Sequence, residues 1–93
     1  MRVEIEPQAE WKGNMVESVV DELKALADQT RLRIISLLWE AEDLCSCEIE
    51  HIIDIRQSNA SRHMRRLREA GLVEHYRTAQ WSHYRIAFPH RES

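Results

Sequence analysis

No run of apolar residues in this 93-residue chain approaches the ~18 that cross a bilayer as a helix. The opening Met1-Arg2-Val3-Glu4-Ile5-Glu6 lacks the apolar centre of a signal peptide, which predicts a cytoplasmic protein that engages no membrane. There is no internal repeat and no low-complexity tract. Cysteine is nearly absent: residues 1–44 have none, and Cys45 and Cys47 are the only two. In a cytosolic protein such a pair points to metal or redox chemistry rather than to a structural disulfide. Lysine is scarce too, since eleven of the thirteen basic residues are arginine. Arginine suits bidentate contacts with phosphate and guanine, although genome composition alone also raises its share. Proline and glycine, two of each, act only as breaks at Pro7, Gly13, Gly71 and Pro89.

The remainder is an ordinary globular composition, 43% apolar and 31% charged, for one domain with a modest core. A domain this small often gains stability by dimerising. The net charge of −3 hides a split. Residues 1–55 carry five basic and thirteen acidic side chains, and residues 56–93 carry eight arginines against three acids. One basic half predicts a polyanionic partner.

In chain order, residues 1–13 read as an N-terminal arm in which Trp11 packs on a partner subunit or on its own core. Val16, Val19, Val20, Leu23, Leu26 and Ala27 then recur at helical spacing, which predicts an amphipathic helix over 14–27. Val16, Val19, Val20 and Leu23 are its candidate dimer contacts. Thr30 is positioned to cap a second helix over 31–40, apolar nearly all round and so expected to be buried. After an acidic connection, a third helix from 45 or 46 to 54 turns Ile49, Ile52 and Ile53 inward.

A fourth helix follows within about three residues. Ser58 is its expected cap, Ala60, Met64 and Leu67 are its apolar stripe, and Gly71 is its stop. The opposite face carries Ser58, Ser61, Arg62 and Arg65, with Arg66 and Arg68 at its borders. Taken alone, that face is equally a solvated surface and a DNA-reading one. Two short helices in tandem, the second cationic, make a helix-turn-helix pattern. After Gly71 the period changes, and β-formers over 73–77 and 81–88 predict a hairpin with Arg77 and Gln80 near its tip. The fold predicted is mainly α with a small two-stranded wing: a winged helix-turn-helix over 14–88, a homodimer, with a short tail at 89–93. Ser58, Asn59, Ser61, Arg62 and His63 are placed to reach bases and backbone of double-stranded DNA, with bracing the turn an equal reading for His63. Arg65 and Arg66 are placed to reach phosphates, and Arg77 a minor groove or a phosphate.

Several segments together resemble the ArsR/SmtB family of metal-responsive winged-helix repressors. They are Leu26-Ala27-Asp28-Gln29-Thr30-Arg31-Leu32-Arg33-Ile34-Ile35, Asp43-Leu44-Cys45-Ser46-Cys47-Glu48-Ile49, Gln57-Ser58-Asn59-Ala60-Ser61-Arg62-His63-Met64 and Gly71-Leu72-Val73. The resemblance implies a homodimer that binds its operator without inducer and lets go when inducer binds. It also implies that Cys45 and Cys47 are the inducer site of the arsenic(III)/antimony(III) branch, with no permanently bound cofactor. This sequence departs from the family in three places. Glu50 stands where some arsenic sensors have a third cysteine, the N-terminal cysteine of the cadmium/lead branch is missing from residues 1–44, and the family's helix after the wing does not follow within the 93 residues.

Soft thiolates select thiophilic ions. Within an α-helix, residues two apart point about 200° away from each other, so both sulfurs are expected to meet on one ion only if the first turn of the third helix distorts. That distortion would reach the recognition helix. A helix N-terminus also favours thiolate. The other readings are a sensor of cadmium or lead, a redox thiol switch, a thiol-redox enzyme and a winged module that does not bind DNA. His51, His63, His75, His83 and His90 are assigned no metal, and His75 and His83 read as facing each other across the hairpin.

Overall fold

The computed structural model describes residues 14–87. The arm with Trp11, Phe88 and the tail with His90 lie outside the described residues. The elements are α1 (Asn14–Leu26), α2 (Gln29–Ala41), β1 (Leu44–Cys45), α3 (Ser46–Ile53), α4 (Gln57–Glu69), β2 (Val73–Thr78) and β3 (Trp81–Ile86). This is the winged helix-turn-helix plan expected from the sequence, with one addition. β1 joins the wing antiparallel, Leu44 opposite Tyr84 and Cys45 opposite His83, so the sheet has three strands in the order β1-β3-β2. A two-residue strand carries no periodicity, which is why the alternation did not reveal it.

The helix starts differ from expectation. Asp28, not Thr30, caps α2: its backbone is extended and its carboxylate accepts from the Arg31 amide at 3.0 Å. That bond holds the Asp28 carboxyl below its usual range. Asp28 thereby draws Gln29 and Thr30 into the first turn. In α4 the cap position is Arg56, which makes no side-chain capping bond, and Ser58 lies inside the first turn. The left-handed Asp54 (φ 63°, ψ 57°) ends α3 and makes the turn tight enough for α4 to begin at Gln57. Gly71 does close α4, with φ 77° and the Leu72 amide bonded back to the Leu67 carbonyl at 3.0 Å.

The core joins Ile34 and Leu38 of α2, Ile49 of α3, Met64 and Leu67 of α4, and Leu44, Val73 and Tyr84 of the sheet. Two inward expectations fail. In α2, Leu32 and Trp39 are exposed, because a single layer of helices covers only one side of it. In α3, Ile49 is buried and Ile53 packs against the core, but Ile52 is exposed. A two-turn helix offers only a narrow stripe, and Ile52 falls on the other side of Ile49 from Ile53.

α1 is docked with its most apolar side outward. Ala25 is buried, and Asp21 of the same side pairs with Arg66 of α4. Met15, Val16, Val19, Val20 and Leu23 form one stripe on the far side and remain 41–67% exposed.

The hairpin register separates the two histidines expected to face each other. His75 lies opposite Tyr84 and Tyr76 opposite His83, so His75 and His83 are on different faces of the ribbon.

Candidate nucleic-acid interface and thiol pair

α4 is anchored by Ala60, Met64 and Leu67 and displays Ser58, Asn59, Ser61, Arg62 and Arg65 to solvent. The Arg62 guanidinium donates to Asn59 Oδ1 at 2.7 Å, one turn back, so two side chains of the face already share an orientation. Arg77 is exposed on β2 opposite Ser82, next to the turn at Ala79 and Gln80. That turn holds Ala79 at φ 53°, a conformation that favours glycine.

Two residues expected on this face are occupied elsewhere. His63 is only 7% exposed and points into the domain. Its Nδ1 lies 3.1 Å from Arg31 Nη1, and Arg31 Nε also donates to the Ala25 carbonyl at 2.6 Å. A guanidinium can only donate, so Nδ1 accepts and the ring is neutral. Ala60, His63, Met64 and Leu67 share one helical row, which is the signal that places His63 inside. Arg66 is the second: it reaches Asp21 of α1 at 3.1 Å instead of standing free for a phosphate.

Burial pushes the His63 pKa below its ordinary value. The unfolded chain, with histidine near 6.5, therefore binds more protons than the folded one in the window below that pH. Stability from this group is complete above about pH 6.5 and falls as the pH drops through the window, by at most about 1.4 kcal/mol per pH unit. Urea midpoints at pH 7.5 and 5.5 are expected to show that slope, flattened in a His63→Gln variant.

The thiols are arranged otherwise than a helical pair. Cys45 is the N-cap of α3, with extended backbone (φ −81°, ψ 161°), and only Cys47 is helical. The two Sγ atoms are therefore 2.9 Å apart with α3 intact. The expectation that the sulfurs converge only by unwinding α3 is thus corrected: Cys45 lies outside the helix, so the 200° rule does not govern it. Cys45 is half-buried and Cys47 exposed. The Cys45 amide donates to the Glu48 carboxylate at 2.9 Å, which holds that carboxyl low. The neighbouring Cys47 sulfur, with burial, raises the Cys45 thiol above its ordinary value. The expected priming towards thiolate is therefore also corrected: proximity of the second sulfur outweighs the helix N-terminus. Two converging soft donors fit a thiophilic ion. Among the described residues, no group of three or more His, Cys, Asp or Glu side chains is placed to hold a metal.

Next to the thiols lies a polar cluster that the sequence did not disclose. The Asp43 carboxylate accepts from the Tyr76 hydroxyl and from His83 Nδ1, the latter at 3.1 Å. His83 Nε2 lies 2.9 Å from Thr78 Oγ1, and the Tyr76 and His83 rings stack at 5.0 Å. With Nδ1–H donating to Asp43, Nε2 is left to accept from the Thr78 hydroxyl.

Residues 28–75 match the arsR family of bacterial regulatory proteins. The chain belongs to that family. It is 43% identical over 63 residues to an arsenic resistance transcriptional regulator of Pseudomonas putida, covering 68% of this chain and 49% of that protein. It is 45% identical over 67 residues to the arsenical resistance operon repressor of Escherichia coli, covering 72% and 56%. A cadmium resistance regulatory protein of Listeria innocua is 33% identical over 69 residues, covering 74% and 58%. The chain thus spans about half the length of these ArsR-family relatives. Among solved structures, the homodimeric winged helix-turn-helix DNA-binding domain of a Mycobacterium bovis protein, described as a possible ArsR-family regulator, superposes with a TM-score of 0.81 at 30% identity, covering 90% and 77%. Among the described residues no helix is long and apolar enough to cross a membrane.

Proposed function

We propose that this chain is the DNA-binding and sensing unit of a homodimeric transcriptional repressor that leaves its operator when As(III) or Sb(III) bridges Cys45 and Cys47. The observation that carries the reading is the convergence of the two sulfurs, 2.9 Å apart, at the start of the helix that leads into the exposed arginine face of α4. Arsenic regulators among its relatives support the inducer class. Ser58, Asn59, Ser61, Arg62 and Arg65 of α4, with Arg77 of the wing, face the DNA in this reading. His63 and Arg66 brace α4 against α2 and α1. The outward stripe of α1 (Val16, Val19, Val20, Leu23) meets its counterpart in a second copy.

A second reading, a cadmium or lead sensor, is favoured by the cadmium-regulator relative and by a site with only sulfur donors. The two are separated by titrating the complex of protein and a duplex recovered from a randomised pool with arsenite, antimonyl tartrate, Cd(II) and Zn(II). Arsenite is expected to release wild-type protein and to leave Cys45→Ser and Cys47→Ser bound. Release of both variants at wild-type arsenite concentrations would remove the thiol pair from the mechanism. In the same assay Arg62→Ala is expected to bind the duplex roughly 10-fold more weakly, the loss of one charge-assisted contact.

A further inference from the structure

We propose that the wing is a second output of the thiol pair, and that His83, held by Asp43, is the positioning residue that couples them. The inference rests on the reading of Cys45 and Cys47 as the inducer site. Cys45 is at once a ligand of that site and half of β1, and the residue opposite it in register is His83. Asp43, two residues upstream, is tied to the wing by Tyr76 and His83. The far nitrogen of the same imidazole meets Thr78 at the end of β2, beside Arg77. A continuous set of contacts thus runs from the sulfur-bearing residue to the tip of the wing.

Chelation acts at the sulfur end of this route. With metal–sulfur bonds of about 2.3 Å, two sulfurs sharing one ion stand more than about 3 Å apart, whereas here they are at 2.9 Å. Cys47 is exposed on a helix, but Cys45 is fixed by its pairing with β3 and by the bond of its amide to Glu48. Upstream, Glu42 sits at φ 72°, ψ −45°, an unfavourable conformation for a residue with a side chain. The segment from Glu42 to Cys45 is therefore held by the wing more than by its own preferences. In the proposal the ion draws on Cys45 as well as on the exposed Cys47, and Cys45 then either carries β3 with it or loses a strand only two residues long. In both cases the hydrogen bonds of His83 are remade and Arg77 changes its place relative to α4.

The test uses His83→Phe, which keeps a ring against Tyr76 and loses both hydrogen bonds, with Asp43→Asn as a second variant. Phenylarsine oxide serves as a thiol-bridging probe that needs no DNA: two S–H groups and one As=O give two As–S bonds and one water. Amide exchange at Ser82, His83 and Tyr84 is expected to change at least fivefold on its binding to wild-type protein and less than twofold in either variant. In duplex release, the variants are expected to bind arsenite within twofold of wild type and to bind free duplex comparably. The ratio of duplex affinities without and with arsenite should fall at least tenfold. Wing amides that ignore the probe in wild type, or respond equally in both variants, overturn the proposal. Loss of arsenite affinity in parallel with release also overturns it, because His83 would then act at the ion. Wild-type protein that stays on the duplex with arsenite, while its wing answers phenylarsine oxide through His83, overturns the inducer reading and leaves the coupling standing.

Discussion

A chain carrying Val19→Asp and Leu23→Asp is expected to sediment as a monomer and to bind its duplex two to four orders of magnitude more weakly. The physical basis is the orientation of α1. Its small and polar side faces the domain through Ala25 and the Asp21–Arg66 pair, while its five large apolar residues face outward. A helix whose apolar stripe points away from its own core is a helix that lacks its partner. In an isologous interface each residue acts twice, and a carboxylate near the two-fold axis meets its own copy. Each half-exposed aliphatic side chain that is covered contributes about 1 kcal/mol, so two aspartates per chain remove several such contributions and add buried charge. Two linked recognition helices bind with an avidity of roughly 10²–10⁴ over one, and the monomer forfeits that factor. Because Val19 and Leu23 are exposed and belong to no part of the core cluster, the variant should keep its helical circular dichroism. A variant that still sediments as a dimer would move the interface elsewhere.

The elements that were legible in the sequence are those with a period. The stripes of α1 and α4, the stop at Gly71 and the change to alternation after Val73 all appear in the structure where the residues put them. What escaped was decided across long sequence separations or by single backbone angles. Arg66 is drawn off the exposed arginine face of α4 by Asp21, 45 positions away, and His83 is drawn to Asp43 from 40 positions away. Nothing local to either arginine or histidine announces such a partner. Cys45 is the more instructive case. One residue of helix boundary separates a pair that diverges from a pair in contact, and boundaries are the least certain part of any periodicity argument. The spacing of the cysteines predicted sulfurs that diverge, whereas the structure places them 2.9 Å apart. His63 is different again: its row with Ala60, Met64 and Leu67 was readable, and only its polarity argued for the outside.

The corrected thiol chemistry leads to the second large effect, a pH signature that separates the candidate inducers. The Cys47 sulfur raises the Cys45 thiol above its ordinary value, so Cys45 holds its proton more firmly than a free cysteine does. Cadmium binds thiolates, so the Cys45 proton must leave, and that proton alone should make the affinity climb about tenfold per pH unit. Arsenite near neutral pH is a neutral hydroxide. Each As–S bond forms as the S–H proton joins a departing hydroxyl to make water, so no proton reaches the solvent and the affinity should be nearly flat between pH 6.5 and 7.5. Calorimetric titrations in two buffers of different ionisation enthalpy count the protons directly. Proton release is expected on cadmium binding, the Cys45 proton included, and none from Cys45 on arsenite binding. Equal proton release for both would mean that Cys45 is already ionised, and would return the helix N-terminus to the leading influence on it. The same contrast bears on selectivity. A site that holds its protons disfavours divalent ions at pH 7 without any change of donor atom, and lets a trivalent hydroxide bind with no such cost. In the proposed reading Cys45 would serve that discrimination because it stands outside the helix, close enough to Cys47 for that sulfur to raise its thiol.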